Sequence, residues 1–528
     1  TRFRYINNYV NPKLFLMNFI PKIVNFALQV AIITLATPVL AETVNFTLLQ
    51  LNDIYEITPI QGGKMGGLAR VATIRQQLLQ QNPRTYTILA GDVFSPSALG
   101  TAKINGKPLA GEQMVAVMNS LGLDYATFGN HEFDISENLF LERLKESKFT
   151  WFSGNVSDKN GKSFPRVPRS FIFNVKGDRA ANIRVGLIGV TIGSNRANYV
   201  TYTDPIATAK EEVKALQGKV DIIIAVTHVA METDRKLAES VPEIKLILGG
   251  HEHENIQQWR GEHFTPIFKA DANARTVYIH NLSYDTDTKK LNINSRIQPV
   301  TDAIADEPNT AKVVQEWVTK GFDAFRANGF NPEEVIGKTS VDLDGLESSV
   351  RNRSTTLTEL IARGMLNEVK DADLAIYNGG SIRIDDTIPP GNITQYDVIR
   401  ILPFGGKIVA VEMKGDLLEK VLNQGMKNKG TGGYLQTGNV KLNSGTWLIK
   451  GKPLESQKVY KVAITEFLVS GKEQGLEFLN LQAPGIKLIE EKRDIRMIVI
   501  DQIKQENPKA SRKNNSWLSA FGLLFAYQ

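Results

Sequence analysis

From Thr43 to about residue 300, short apolar runs alternate with amphipathic stretches. The runs 44–51, 86–90, 125–128, 183–190, 221–226 and 244–248 are rich in Val, Ile, Leu, Phe and Tyr. Continuous apolar runs of this length predict strands buried on both faces. Between several of them the period changes. Residues 67–81 place Leu68, Val71, Ile74, Leu78 and Leu79 on one side, with Pro83 as a stop, and 112–121 and 137–148 follow the same pattern. Apolar positions at such intervals predict helices. Alternation of strand and helix predicts an α/β layered domain over 42–300.

A connection over 301–331, carrying a helical run at 311–327, leads into a second, smaller α/β or α+β region over 332–490. Residues 491–528 give no pattern beyond a Lys/Asn/Ser-rich stretch and a short apolar end, and no role is assigned to this tail. No internal repeat or low-complexity tract occurs. A length of 528 residues is ample for two cores.

The N-terminus has its own pattern. Met17 and Lys22 precede an apolar run at 26–36 and then Thr37-Pro-Val-Leu-Ala41. This is the order of a secretory signal peptide, with cleavage expected after Ala41 and residues 1–16 an over-extension ahead of Met17. Pro21, Asn25, Gln29 and Pro38 interrupt the stretch, which fits a spanning helix poorly. The mature chain is therefore expected in a periplasm or outside the cell, without a membrane span.

Composition narrows the chemistry. The net charge is +6, and Arg2, Arg4, Lys13 and Lys22 lie in the leader, leaving +2 for the rest. A balance so near neutral argues against a protein that coats nucleic acid. Cysteine is absent, which excludes disulfides, thiolate metal sites and cysteine nucleophiles.

The polar residues following the runs are the informative ones. Five of the six predicted strands end in metal-ligand types: Asn52-Asp53, Gly91-Asp92, Gly129-Asn-His-Glu-Phe-Asp134, Thr227-His228 and Gly250-His-Glu-His253. Ligands in α/β sheets gather beyond the carboxyl ends of strands, so groups spread over two hundred residues can converge. A Gly-Asp after a strand is often only a turn, and a lone strand-end histidine is more often structural. The joint occurrence decides otherwise, because four of only six histidines fall in these motifs. His263 and His280 fit none and are assigned structural or solvated roles. Asp53, Asp92 and Asn130 with His228, His251 and His253 suit two divalent ions, Mn, Fe, Co, Ni or Zn, better than a Ca or Mg cage. Such a pair activates water for attack on phosphorus.

This ordered set resembles the calcineurin-like metallophosphoesterases, and Gly129-Asn-His-Glu-Phe-Asp134 resembles their bacterial 5′-nucleotidase branch. The resemblance implies a four-layer αββα domain followed by a smaller substrate-binding domain, with a hinge between them. It implies that Asp92 bridges two metals, that Asn130, His228 and His251 complete one site, and that Asp53 and His253 belong to the other. His131, oriented by Asp134, would stabilise the transition state and protonate the leaving oxygen. One departure stands out: the family has Asp-x-His where this chain has Asp53-Ile54-Tyr55. Tyr55 could ligate as a phenolate, leave a water in that place, or simply pack.

In the second region Asn378-Gly-Gly-Ser-Ile-Arg383 resembles the family's Asn-Gly-Gly-Gly-Ile-Arg. Arg351 and Arg383 would then hold phosphates or a terminal carboxylate-like group, and Phe404 and Phe467 would stack on a base. Glu473 stands where the family has a ribose-binding Asp. The glycine-rich segment 62–67 lacks Gly-Lys-[Ser/Thr] and is assigned as a lead-in to the next helix rather than a phosphate loop. The implied partner is a nucleotide or other small phosphoester, and the implied reaction is metal-dependent removal of its phosphate. The same machinery serves cyclic phosphodiesterases and sugar-nucleotide hydrolases. A non-catalytic nucleotide-binding protein with an impaired first metal site is the alternative of another class.

Overall fold

The computed structural model describes residues 42–507, Arg196 excepted. The proposed leader and the last residues of the chain lie outside that range. Among the described residues no helix is long and apolar enough to cross a membrane.

The predicted strands form with small shifts at their ends, as Thr43–Leu51, Thr85–Ala90, Tyr125–Thr127, Asn182–Thr191, Ile222–His228 and Ile244–Gly249. They divide between two six-stranded sheets. The first runs in the order Leu291–Pro299, Thr276–Asp285, Thr43–Leu51, Thr85–Ala90, Tyr125–Thr127, Thr150–Trp151. The second runs Ser170–Lys176, Asn182–Thr191, Ile222–His228, Ile244–Gly249, Thr265–Lys269, Ile256–Arg260. The central strands of each are parallel.

The strands are apolar on both faces because each sheet is covered twice. Phe46, Leu48 and Ile88 of the first sheet pack against Leu187, Ile224 and Leu248 of the second. The opposite face of the first sheet, with Leu49 and Leu89, meets Val71 of Leu68–Gln81 and Met118 of Glu112–Leu121. The opposite face of the second, with Ile188 and Ile247, meets Val213 of Pro205–Leu216 and Leu237 of Met231–Ser240. This is the αββα layering.

The C-terminal domain is built on a five-stranded sheet in the order Leu435–Gly438, Leu374–Asn378, Val459–Thr465, Lys407–Lys414, Ile486–Asp494. The expected linker helix forms as Pro308–Ala327. It packs on the N-terminal helices Glu112–Leu121 and Leu68–Gln81, while Phe322 meets Tyr396 of the second domain at 4.8 Å between ring centroids. It is therefore a wedge shared by both domains, and one continuous core passes through its Ala324 and Phe325.

The tail expected from residue 491 needs correction. Residues up to 507 belong to the second domain: the edge strand runs to Asp494, and helix Ile495–Glu506 buries Ile495, Ile498, Val499 and Ile503. Those four positions have helical spacing, so the signal was present. The glycine-rich segment 62–67 forms the turn and second strand of a small hairpin, Pro59–Ile60 with Met65–Gly66, ahead of its helix.

Candidate active site

Each proposed ligand except His253 lies at or just beyond the carboxyl end of a parallel strand. His253 follows two residues after His251, in the same loop. The turns carrying the ligands are tight. Asp53, Asp92, His251 and His253 have φ of 53°, 59°, 90° and 61°, in the left-handed region that side-chain-bearing residues avoid. Strain of this kind concentrates at functional sites. The flanking glycines are required by space. A Cβ on Gly129 would stand 2.0 Å from Asp92 Oδ1, and one on Gly91 would stand 2.6 Å from His228 Nδ1.

The side chains converge. His228 Nε2 lies 3.1 Å from Asp92 Oδ2 and 3.7 Å from Asp53 Oδ1. His253 Nε2 lies 3.3 Å from Asp53 Oδ1. The His228 and His251 rings meet edge to face at 5.4 Å. Nδ1–H of His228 donates to Ala90 O at 2.8 Å, which leaves Nε2 directed at the carboxylates. That Nε2 is ion-paired with Asp92, while Oδ1 of Asn130 is buried without a hydrogen-bond partner. A buried polar atom is rarely left so, and a bound cation would satisfy it.

The electrostatics agree. Burial alone would depress His228, yet the Asp92 and Asp53 carboxylates overcome it and lift the ring to about 9. Burial, reinforced by His228, drives His251 down to about 3, so it stays a neutral imidazole. The cluster calls for positive charge, supplied by a proton or by metal.

Tyr55 is buried at the centre of this group. Its hydroxyl lies 3.2 Å from Asp53 Oδ1, 3.1 Å from Asp92 Oδ2 and 3.0 Å from His253 Nε2. Burial, then the Asp92 and Asp53 charges, hold the phenol well above its usual pKa.

His131 and Asp134 pair through Nδ1 at 2.7 Å. Asp134 is held by Ser95 Oγ at 3.1 Å and by Asn195 Nδ2 at 2.8 Å. Burial would lower His131, but Asp92 and Asp134 outweigh it and raise its pKa above the ordinary value. Asp134 also lines a 520 Å³ cavity together with Phe404 and Arg496 of the C-terminal domain.

On that domain, Arg383 extends beneath the Phe404 ring, its Cζ 5.7 Å from the centroid. The loops bearing Phe404 and Phe467 leave the same end of paired strands, where Ile408 faces Thr465, and both rings are largely exposed. Asn378 Nδ2 donates to Glu473 at 2.9 Å, while Asn378 Oδ1 and Arg383 Nε are buried without partners. Arg351 is ion-paired with Glu347, which stands 3.5 Å from His253 Nδ1. His280 is structural, bonded to Ser295 and Gln50, and His263 is exposed.

Several residues of the site carry no sequence signal of their own. Glu132, inside the 129–134 motif, accepts the backbone N–H groups of Asp92, Val93 and Gly129 and so shapes both ligand turns. Lys269 is fully buried and donates to Val229 O at 2.7 Å and Gly250 O at 2.8 Å, binding the His228 loop to the His251 loop. Its charge is balanced by Asp234 and Glu252.

Comparison with known proteins agrees with this geometry. Residues 46–255 match the calcineurin-like phosphoesterase family and residues 335–480 match the 5′-nucleotidase C-terminal domain. The bovine 5′-nucleotidase is 28% identical over 494 residues, covering 80% of this chain and 83% of the bovine one. The trifunctional nucleotide phosphoesterase YfkN of Bacillus subtilis is 28% identical over 450 residues, 75% of this chain but 29% of that protein. In three dimensions the 5′-nucleotidase precursor of Thermus thermophilus superposes with a TM-score of 0.71 at 24% identity, covering 88% of this chain and 97% of that one. The sulfate thiohydrolase SoxB of the same organism shares the fold at a TM-score of 0.65 and 15% identity, over 87% and 94% of the two chains. Architecture alone therefore leaves the substrate open. With both family models matched in order and the predicted ligands converging, the chain belongs to the family of phosphoester hydrolases that join a calcineurin-like phosphoesterase domain to a 5′-nucleotidase C-terminal domain.

Proposed function

We propose that this chain is an exported, metal-dependent phosphatase that releases phosphate from nucleoside 5′-monophosphates. The observation that carries the reading is the cluster in which His228 Nε2 and His253 Nε2 stand 3.1–3.7 Å from the buried Asp53 and Asp92 carboxylates, together with the buried, unpartnered Oδ1 of Asn130. Asp53, Asp92, Asn130, His228, His251 and His253 would hold two divalent ions, with Asp92 shared. When bound, such a pair supplies an activated water and neutralises charge on phosphoryl oxygens.

The remaining steps belong to side chains. Asp92 and Asp134 favour the protonated form of His131, which donates its proton to the leaving oxygen. Arg383 and Arg351 offer guanidinium forks to the anionic end of the substrate. Phe404 and Phe467 present exposed ring faces to the base, which gives affinity with little base selectivity. Glu473, held by Asn378, is the acceptor for the sugar hydroxyls. Export rests on the N-terminal pattern ending at Ala41.

The test is phosphate release from a panel of AMP, a cyclic nucleotide and a sugar nucleotide, with the chain starting at Glu42. AMP should be turned over fastest. Preference for either other substrate would reassign the substrate on the same site, and nucleotide binding without turnover of any would favour a binding protein.

A further inference from the structure

His253 is bonded in two opposite directions. Its Nε2 faces the proposed metal centre, 3.0 Å from Tyr55 and 3.3 Å from Asp53. Its Nδ1 lies 2.8 Å from Oδ2 of Asp385, which belongs to the other domain and stands 132 positions later. Asp385 is itself fixed: it is buried, has φ of 38°, and its Oδ1 accepts the backbone N–H of Glu347 at 2.8 Å.

The neighbouring residue shows that this stretch is a docking element. Asp386 accepts from Gln61 of the first domain at 3.0 Å and lies 3.4 Å from Arg400. Arg400 in turn reaches Glu56 of the first domain at 3.4 Å. Two consecutive aspartates thus cross the domain boundary, one to a structural pair and one to a proposed metal ligand. His253, Glu347 and Asp385 could be taken as a further cation site. The Arg351 guanidinium already neutralises Glu347, and His253 Nδ1 must carry a proton if Nε2 is to bind metal.

We propose that Asp385 is a positioning residue for His253, so that the metal site containing His253 is completed only when the two domains are docked. A histidine that ligates through Nε2 is oriented by whatever accepts its Nδ1–H, and losing that acceptor typically weakens metal binding 10–100-fold. In this chain the acceptor rides on the second domain. Metal binding and docking are then linked, and by reciprocity each favours the other to the same degree. The proposal rests on the two-metal reading above.

The experiment titrates the chelator-stripped full chain with Mn²⁺ and resolves the two affinities. In Asp385→Ala one ion should bind about 10–100-fold more weakly, while the other stays within about twofold of its original affinity. Asp385→Asn keeps an acceptor oxygen and should recover most of the loss. Unchanged affinities in Asp385→Ala, or equal weakening of both ions, would overturn the proposal and leave the two-metal reading standing. A wild-type chain that binds no Mn²⁺ would overturn both. A second measurement uses no Asp385 variant. The chain has no cysteine, so cysteines placed at the exposed Lys159 and Lys441, one on each domain, can carry a donor and acceptor dye. Mn²⁺ should increase the docked population, and a population unmoved by saturating Mn²⁺ would overturn the linkage.

Discussion

The Tyr55 hydroxyl stands 3.0 Å from Nε2 of His253, and Asp53 and Asp92 carboxylate oxygens lie within 3.2 Å of it. Ligands about 2.1 Å from a tetrahedral ion are separated by roughly 3.4 Å, close to these spacings. We propose that Tyr55 contributes to the metal centre rather than only packing. Tyr55→Phe should weaken binding of one ion by roughly tenfold or more, read as greater sensitivity to chelators. Tyr55→His, restoring the Asp-x-His of the family, should bind that ion at least as tightly as the wild type. A Phe variant as resistant to chelation as the wild type would show that the phenol contributes nothing to metal binding.

Proton donation by His131 has a pH signature. The proposed donation needs the protonated ring, so activity should fall as pH rises through its raised pKa. Asp134 is one of the charges that raise it, so Asp134→Asn should move this alkaline limb to lower pH. His131→Ala should cost about 10²–10⁴ in kcat with nucleotide binding retained. A pH–rate profile for each variant checks both statements.

Phe404, proposed to bind the base, lines the same cavity as Asp134. Phe404→Ala should raise KM, by about 1–3 kcal/mol in nucleotide affinity, and leave kcat within a few-fold. Steady-state kinetics on AMP distinguish this from a catalytic loss.

His280 predicts a stability effect distant from chemistry. Gln50 uses its amide N–H groups on Gly249 O and Phe268 O, so its oxygen accepts from His280 Nε2, and the neutral ring takes a hydrogen bond at Nδ1 from Ser295. Burial lowers its pKa to about 3 in the folded chain, against about 6.5 unfolded. The unfolded state then binds more protons between those values, so stability is intact above pH 6.5 and is lost as pH falls toward 3. The upper bound is roughly 5 kcal/mol. Denaturant unfolding of His280→Gln should show a smaller acid loss than the wild type over this window.

The apolar runs and the residues at their ends revealed the layered domain and all six proposed ligands, because buried parallel strands are marked by composition and the chemistry sits where they stop. The hairpin partners Thr276–Asp285 and Leu291–Pro299 were less visible, since the edge strand is only half-buried and carries polar residues on alternate positions. Helix Ile495–Glu506 was legible in its spacing but was masked by the polar stretch that follows. Asp385, Lys269 and Glu132 act through contacts between residues far apart in sequence or through backbone N–H groups, and no local pattern marks such roles. Tyr55 was visible only as a departure, and its meaning depended on where the hydroxyl points.

The most direct measurement is phosphate release from AMP by the chain beginning at Glu42, first after chelation and then after Mn²⁺ is restored. Release that disappears with chelation and returns with Mn²⁺ is the expected result. Release that persists after complete removal of metal would contradict the assignment of Asp53, Asp92, Asn130, His228, His251 and His253 as the catalytic metal centre.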